Sequence, residues 1–280
     1  MRPSPHLLNL GCGAAFHPEW VNLDAFPVSP DVIAHDLHRR LPFSDGSFDA
    51  VYGSHVLEHL EPDAAMRLLH DCHRILRPAG IVRMAVPDLE AIVKLYLESL
   101  VGAISGDTKA VFNYDWAMLE LYDQAVRSVP GGKMRTCIAG ILEEHEARFI
   151  KSRIGDEASC PAPAMGRATA GRWLWHCLHA TAEKLRSTAA VAATFLLLGS
   201  RGAAALREGL FRNSGEVHRW MYDRYSLKRA LERAGYGQVR TCVAGESRIP
   251  GFPRFELELK DGKPRKPDSI YVEGYKLAVA

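Results

Sequence analysis

The chain has 280 residues, of which 47% are hydrophobic and 24% are charged, which is typical of a soluble globular protein. A formal net charge of +2 excludes the strong positive field that attracts nucleic acid. The six cysteines are scattered without a Cys-x-x-Cys pair, which indicates reduced thiols rather than a disulfide framework or a zinc knot.

Targeting signals are not evident in the sequence. The N-terminus lacks the long apolar core of a signal peptide. The longest apolar run, residues 189–199, is shorter than the roughly 20 residues that are needed to span a bilayer. We therefore expect a cytoplasmic protein.

Short apolar runs alternate with helical patterns over residues 7–90, which is typical of βαβ units that form a parallel sheet. The strand candidates of this region are residues 7–10, 21–23, 50–53 and 81–85. Leucines that recur at helical spacing predict a helix between residues 55 and 76, divided at Pro62.

The middle of the chain changes character, because helical patterns replace the alternation from residue 91 to 215. Five helices are predicted there, at residues 91–100, 116–126, 138–153, 172–186 and 189–211. A segment rich in Pro, Gly and Ser predicts a loop over residues 155–171.

The α/β pattern resumes near the C-terminus. Ser226 is the predicted N-cap of a helix over residues 227–234. Strands are predicted at residues 239–244, 255–259 and 270–274, and late antiparallel strands are typical of a mixed sheet. We expect one α/β domain made of residues 1–90 and 216–280. Residues 91–215 would be a helical insertion that serves as a lid, an acceptor region or a dimer face.

The segment LNLGCGAAFHPEWVNLD near the N-terminus predicts a ligand site. Gly11 and Gly13 stand where the first strand ends, so the backbone can turn sharply and approach a ligand. A dinucleotide fingerprint would need a third glycine where Phe16 stands, and the short interval before the next strand leaves no room for a helix facing a pyrophosphate. Asp24 ends that strand and can accept hydrogen bonds from both ribose hydroxyls. The pattern favours a nucleoside-like cofactor without phosphate, although a Gly-x-Gly alone can be a structural turn.

Further segments extend this pattern along the chain. Six segments follow one another in this order: LNLGCG, WVNLDA, AHDL, LPFSDGSFDAVYGSHVLEHL, RILRPAGIVRMAVPDLE and HRWMYDRYSLKRALERAGY. Together they resemble the class I S-adenosylmethionine (SAM)-dependent methyltransferases, most closely a type 11-like bacterial subgroup associated with polysaccharide or secondary-metabolite biosynthesis. The resemblance covers about residues 7–90 and 216–276. It implies a Rossmann-like sheet, parallel with a late antiparallel strand, that binds SAM and releases S-adenosylhomocysteine.

The resemblance also implies roles for individual residues. The glycine turn would lie beside the methionine moiety, and Asp24 would hold the ribose. Asp36 would contact the adenine amino group, and Leu37 would offer its backbone N–H to the ring. The residue that stands where many relatives have an acid is Asn9. The complete set of predicted cofactor-binding residues is Asn9, Gly11, Cys12, Gly13, Asp24, Asp36, Leu37, Ser54 and His55.

A hydroxyl acceptor benefits from a general base. The candidates are His55, Asp88 and His218. His55 comes first because a histidine beside the methyl group can take a proton near neutral pH, the alternative being that it only shapes the cofactor pocket. Asp88 is predicted at the carboxyl edge of the sheet, where ligands bind in open α/β folds. The candidates for acceptor or lid contacts, with core packing as the alternative, are Trp220, Tyr222 and Tyr225.

The sequence therefore predicts an enzyme that moves a methyl group from SAM to a hydroxyl, with an amine as second choice, of a sugar, glycan or small metabolite. One alternative is a catalytically silent SAM-fold subunit that scaffolds a partner. Another is a zinc hydrolase based on HVLEH, in which His55 and His59 share a helix face as zinc ligands and Glu58 is the general base. The preferred interpretation includes no metal.

The helical insertion has a basic and apolar end. Between Cys160 and Arg212 seven basic residues accompany two acids, and the run Leu196–Leu198 adds an apolar face. We expect either a lid or homodimer face, or peripheral contact of residues 172–210 with a membrane or an anionic lipid-linked glycan. Nucleic-acid binding is not expected, because the aromatic residues are not interleaved with the charges.

Overall fold

The computed structural model describes residues 5–141, 143–155, 158 and 170–277, and of residues 170–184 the backbone alone. The strands are β1 Leu7–Leu10, β2 Trp20–Asp24, β3 Val32–Ala34, β4 Phe48–Ser54, β5 Leu76–Pro87, β6 Tyr236–Cys242, β7 Leu259–Lys260, β8 Lys263–Pro264 and β9 Ser269–Lys276. The α-helices are α1 Pro62–Ile75, α2 Leu89–Ile104, α3 Thr108–Met118, α4 Gln124–Val126, α5 Gly132–Ala139, α6 Glu144–Ile154, α7 Ala170–Arg212 and α8 Arg224–Arg233. A π-helical turn, Leu119–Asp123, joins α3 to α4.

Seven of these strands form one mixed sheet in the order β3-β2-β1-β4-β5-β9-β6. β1 to β5 pair in parallel, whereas β9 lies antiparallel to both β5 and β6. All four residues of β1 are buried, as expected for a central parallel strand that is covered on both faces. This topology confirms the predicted Rossmann-like sheet with a late antiparallel strand.

The two faces of the sheet carry separate apolar cores. On one face, residues of α1 and α8 such as Leu69 and Leu231 pack with sheet residues such as Leu10. On the other face, Trp20 packs against Phe252 and neighbouring rings. Burying both faces leaves the ends of the strands as the exposed parts of the sheet, so the carboxyl edge is available for a site.

Several local predictions need correction. The helix predicted from residue 55 is a 3-10 turn, Leu57–His59, followed by α1, which begins at Pro62 because proline suits the first helical turn. The sequence pattern missed β3, a short edge strand with two exposed residues. The strand predicted at residues 255–259 is wrong, since Phe252–Phe255 form a 3-10 turn after Gly251, whose φ is 69°.

The predicted N-cap of the last helix is also wrong. Asp223 caps α8, and its carboxylate accepts hydrogen bonds from the backbone N–H groups of Tyr225 and Ser226. Ser226 stands at the third helical position and accepts the N–H of Asp223, so the two residues form a capping box. The helix begins three residues earlier than its apolar pattern indicates.

Helices α2 to α6 lie where the insertion is predicted. Trp116, Met134, Ile150 and Ile154 form a small core of their own. The indole of Trp116 donates a hydrogen bond of 2.8 Å to buried Glu120, which also accepts from Arg153 at 2.7 Å. The division of the chain into a core and an insertion stays a prediction. The predicted loop at residues 155–171 lies almost entirely outside the described residues.

The helix α7 is interrupted at Gly199, whose φ of 69° and ψ of −166° are not helical. Ser187 and Val191 before this break line the same cavity as Arg207 and Leu210 after it. In a straight helix, residues 187 and 207 would be about 30 Å apart. The two limbs of α7 therefore fold back on each other as a helical hairpin with its tip beside Gly199.

The finding on membrane spans differs from the sequence-based expectation. Within the described residues, Leu185–Arg212 passes as a helix long and apolar enough to cross a membrane by length and composition, and 6% of its most apolar window is buried. The sequence pattern placed a break between residues 186 and 189, whereas the helix continues there and breaks at Gly199.

Candidate active site at the carboxyl edge of the sheet

The glycine turn after β1 has the geometry of a ligand cradle. Gly11 has a φ of 56°, and a Cβ there would lie 2.5 Å from a methyl group of Val56. Gly13 has a φ of 51°, and a Cβ there would meet no atom within 4 Å. Asp24 at the end of β2 accepts the N–H of Gly13 at 2.8 Å and that of Phe26 at 2.8 Å. The turn therefore leaves open space beside Gly13, next to the Asp24 carboxylate, as the predicted cofactor site requires.

Two buried asparagines hold this turn in place. The Asn9 side-chain amide donates to the carbonyl of Ala15 at 3.0 Å and to Oδ1 of Asn22 at 3.2 Å. The Asn22 amide donates in turn to the carbonyls of His17 at 3.0 Å and Trp20 at 2.8 Å. Asn9 is 1% exposed, so its side chain positions the loop and has no surface for direct contact with a cofactor. The role of Asn22 was missed, because a polar residue inside a strand carries no periodic signal.

Cys12 lies inside the same turn. Its backbone N–H donates to the carbonyl of Leu23 at 3.1 Å. Burial, with the charge of Asp24, raises the pKa of its thiol to about 12, so the thiol stays protonated. Cys12 therefore contributes packing and backbone to the predicted cofactor site.

The predicted adenine contacts follow β3. Asp36 accepts the backbone N–H of His38 at 2.9 Å, and this hydrogen bond is the main cause that lowers the pKa of the Asp36 carboxyl. Its side chain is half exposed and stays ionised. The Leu37 side chain packs against the core close to Gly11. Their assignment to adenine stays a prediction.

His55 stands directly after Ser54, the last residue of β4, in a backbone conformation that is rare for a residue with a side chain. Its φ is 55°, and its N–H donates to the carbonyl of Ala85 at 2.8 Å. Its ring Nε2 lies 2.8 Å from Oγ of Ser269, and Nδ1 lies 3.1 Å from Oε1 of Glu58. Such strained positions cluster at functional sites.

Glu58 is fully buried in the 3-10 turn below His55. Burial acts to raise its pKa, but the adjacent His55 imidazole, through its charge when protonated and its short contact with the carboxylate, outweighs burial and lowers the pKa to about 2. The 3.1 Å contact with His55 is an ion pair by distance, although neither carboxylate oxygen makes a directed hydrogen bond within the described residues. Glu58 therefore presents a permanent negative charge to one side of the His55 ring.

Two more histidines stand behind Glu58. The rings of His59 and His218 meet edge to face at 4.7 Å. Burial lowers the pKa of His218 to about 3 and also lowers that of His59, so both rings are neutral at neutral pH. His218 is 7% exposed and has no open surface toward an acceptor. The prediction of His218 as a general base is therefore not supported.

The zinc alternative loses the helix on which it depends. His55 lies outside the 3-10 turn, and its ring nitrogens face Ser269 and Glu58, so His55 and His59 do not share a helix face. The structure instead brings ligand atoms of Glu58, His59 and His218 within 4.8 Å of one another. This set shares His59 with the predicted zinc ligands but has His218 in place of His55, and it includes Glu58, the predicted general base of the hydrolase.

A cavity of about 340 Å³ with a mixed polar and apolar lining adjoins the site on the side of α2 and α8. It is lined by Asp88, Glu90, Lys94, Arg224, Thr241 and Ser269, among others. Asp88 caps α2 by accepting the N–H of Glu90 at 3.0 Å. Glu90 forms ion pairs with Lys94 at 2.8 Å and with Arg224 at 2.9 Å. Asp88 therefore faces the cavity with one carboxylate oxygen already engaged. Ser269, which the sequence did not reveal, joins the cavity to His55.

The three aromatic candidates are separated by burial. Tyr222 is 5% exposed and packs in the core, where burial raises the pKa of its hydroxyl to about 12. This burial leaves it no surface for an acceptor. Trp220 and Tyr225 are 50% and 67% exposed, so both can still contact an acceptor or a lid.

Residues 12–84 match a protein-family model that is described as a methyltransferase domain. No curated protein matches the chain significantly. Among solved structures, a SAM-dependent methyltransferase from Archaeoglobus fulgidus is 13% identical with a TM-score of 0.38, over 97% of this chain and 86% of that chain. One from Thermotoga maritima is 10% identical with a TM-score of 0.36, over 99% and 84%. The 1,6-didemethyltoxoflavin-N1-methyltransferase of Burkholderia thailandensis, solved with S-adenosylhomocysteine, is 21% identical with a TM-score of 0.27, over 30% and 45%.

Proposed function

We propose, from the premise that this chain carries a class I SAM-dependent methyltransferase core, that it methylates a hydroxyl group of a sugar or another small metabolite. The family match over residues 12–84 supports the N-terminal part of the resemblance that the motifs indicated. The choice of a hydroxyl acceptor depends on one observation, the placement of His55 between a buried carboxylate and a hydroxyl group.

This placement defines which nitrogen of His55 can act as a base. Ionised Glu58 favours a proton on Nδ1, so Nε2 keeps its lone pair and accepts the Ser269 hydroxyl. Nε2 therefore already faces a hydroxyl oxygen at 2.8 Å, the range that proton transfer requires. An acceptor hydroxyl that displaces the Ser269 hydroxyl from Nε2, or lies beside it, would deliver its proton to Nε2. Glu58 would then stabilise the imidazolium.

The residues around the glycine turn supply the other half of the site. Bound SAM brings a methyl group on a sulfonium that is a good leaving group. Gly13 would leave space for the bound cofactor. Asp24 holds the turn and can still accept hydrogen bonds from ribose hydroxyls. Since His55 and the glycine turn follow neighbouring strands β4 and β1, they meet at one edge of the sheet.

The cavity beside Ser269 supports a polar acceptor. Its lining offers carboxylates, cations and hydroxyls in a small volume, which suits a compound with several hydroxyl groups. Asp88 can orient such a compound with its remaining carboxylate oxygen.

The test separates cofactor binding from turnover. We expect His55→Asn, which tolerates the left-handed backbone, to lower turnover at least 100-fold while SAM affinity by calorimetry changes less than threefold. Asp24→Asn should do the reverse and weaken SAM binding at least tenfold. The matched controls, His70→Asn and Asp63→Asn, lie exposed on α1 and should change neither quantity. Equal losses of affinity and turnover in His55→Asn would contradict the base role.

A hydrolase is the second candidate that a specific contact favours. The contacts of His55 resemble the nucleophile, base and acid of serine hydrolases, with Ser269 on one ring nitrogen and Glu58 on the other. Ser269, however, begins the antiparallel strand β9 rather than a sharp strand-to-helix turn. We expect no labelling of Ser269 by a fluorophosphonate, and labelling would favour the hydrolase.

Tight SAM binding without methylation of any offered acceptor would favour the scaffold alternative.

A further inference from the structure

The tip of the α7 hairpin exposes a continuous band of apolar side chains. We define the hairpin tip as Phe195 to Leu198, whose four side chains are 53%, 84%, 81% and 70% exposed. Consecutive residues of a helix point about 100° apart, so four in a row cover its whole circumference. The described part of the chain therefore leaves the tip exposed on all sides.

The limbs of the hairpin carry positive charge around this tip. The charged residues of Leu185–Arg212 are Arg186, Arg201, Arg207, Glu208 and Arg212, so four cations accompany one acid. Arg201 stands two residues beyond Gly199 and is exposed. Apolar residues at a tip with arginines behind them match an interface between hydrocarbon and anionic head groups.

The same features argue against a protein groove. A groove reads one face of a helix, at spacings of three, four and seven residues. At the tip every face is apolar and exposed, so a groove would leave part of it in water. A surrounding lipid phase would cover all faces at once.

A full crossing of the bilayer also fits poorly, despite the length of the helix. The longest stretch without charge is residues 187–200, and 14 helical residues extend about 21 Å, less than the roughly 30 Å of a hydrocarbon core. Gly199 reverses the chain inside this stretch. Both features favour a shallow position of the tip.

We propose that the hairpin tip inserts shallowly into an anionic lipid bilayer, with Leu196, Leu197 and Leu198 at the boundary of head groups and acyl chains. Arg201 reaches the phosphate groups from its position just behind the tip. Insertion of the tip does not depend on the reaction that the site catalyses.

Contacts at the base of the hairpin connect it to the site. The Arg219 guanidinium donates to the carbonyl of Arg212 and, at 3.0 Å, to Oδ1 of Asn213. The backbone N–H of Arg219 donates to the carbonyl of Glu58 at 2.6 Å. The tip stands about 20 Å beyond Arg212, given 13 residues at 1.5 Å each. Docking of the tip would therefore hold the site near the membrane surface.

The experiment is co-sedimentation of the full chain with vesicles of phosphatidylcholine alone and of phosphatidylcholine with 30% phosphatidylglycerol. We expect binding to the anionic vesicles and at least tenfold weaker partitioning of L196S/L197S/L198S. The matched control L97S/V101S/I104S removes three exposed apolar side chains from α2, at 55%, 72% and 79% exposure, and should bind as wild type does. Arg201→Gln should weaken binding about fivefold at low salt.

Three outcomes would overturn the proposal. The first is equal binding of wild type and the tip variant, with both folded by circular dichroism. The second is a wild-type dimer that the tip variant converts to a monomer without any vesicle binding, since the tip would then be covered by a second copy. The third is resistance of vesicle-bound protein to alkaline carbonate extraction, which would indicate a crossing rather than a shallow insertion.

Discussion

The sheet core and the α7 hairpin distribute polar and apolar side chains in opposite ways. In the core, Arg83 is fully buried and pairs with Glu258 at 2.6 Å and Glu273 at 2.9 Å. In the hairpin, Leu196 and Leu197 are more than four-fifths exposed. Residue type alone therefore does not decide burial. Arg83 can be buried because its donors all find acceptors, and the leucines are exposed because no part of the described chain packs on them.

The Arg83 cluster holds the C-terminal third of the core to the sheet. Besides its two glutamates, Arg83 donates to the carbonyls of Val243 and Glu246, and the ring of Phe252 lies 5.1 Å from its guanidinium. These contacts satisfy its donors and keep the pKa of Arg83 well above its ordinary range, with the glutamates outweighing the opposing effect of burial. The cluster therefore stabilises the sheet core.

The largest expected effect comes from breaking this cluster. We expect Arg83→Met to lower the free energy of unfolding by about 3–5 kcal/mol, because two buried carboxylates lose their partner. Urea unfolding measures this change. Arg77→Met, which removes an exposed pair with Asp49 at 2.7 Å, is the control and should cost less than about 1 kcal/mol. Equal losses in both variants would mean that burial does not decide the strength of these pairs.

The second prediction compares the same substitution in the two regions. Leu69→Ala empties part of a fully buried site on α1 and should cost about 2–5 kcal/mol in urea unfolding. Leu197→Ala at the hairpin tip should change stability by less than about 0.5 kcal/mol in the absence of lipid. A large loss at Leu197 would show that the tip is covered in the free protein, for example by a second copy.

The third prediction concerns the pH dependence of stability. The change in the free energy of unfolding per pH unit is smaller than the changes expected for Arg83→Met and Leu69→Ala. The pKa of His218 is depressed to about 3, so its contribution to stability is present above the unfolded value near 6.5 and is lost as pH falls toward 3. Because the unfolded chain binds the extra proton, the slope should be about 1.4 kcal/mol per pH unit within this window. We expect His218→Asn to reduce the slope between pH 6 and 4 by that amount, as followed by urea unfolding. An unchanged slope would mean that His218 is protonated in the fold.

Much of the fold was predictable, because it depends on patterns that are local. Apolar runs defined the central strands, and Pro62 marked the division between the turn and α1. The failures occurred where tertiary contacts outweigh local preference. Phe255 has the β-propensity of a strand residue, but it packs edge to face on Trp20 within a 3-10 turn. Asp223 precedes the apolar pattern of α8, so the pattern alone could not identify it as the cap.

For the site, motif order and strand ends were enough to predict that Gly11, Gly13, Asp24 and His55 lie at the carboxyl edge. What each of them faces depends on contacts between distant segments. Ser269 reaches His55 from 214 positions away, because antiparallel β9 pairs with β5. The structure also moved His218 behind Glu58 and folded α7 into a hairpin at Gly199. Such contacts depend on how distant segments pack together, and no periodicity along a single chain records that information.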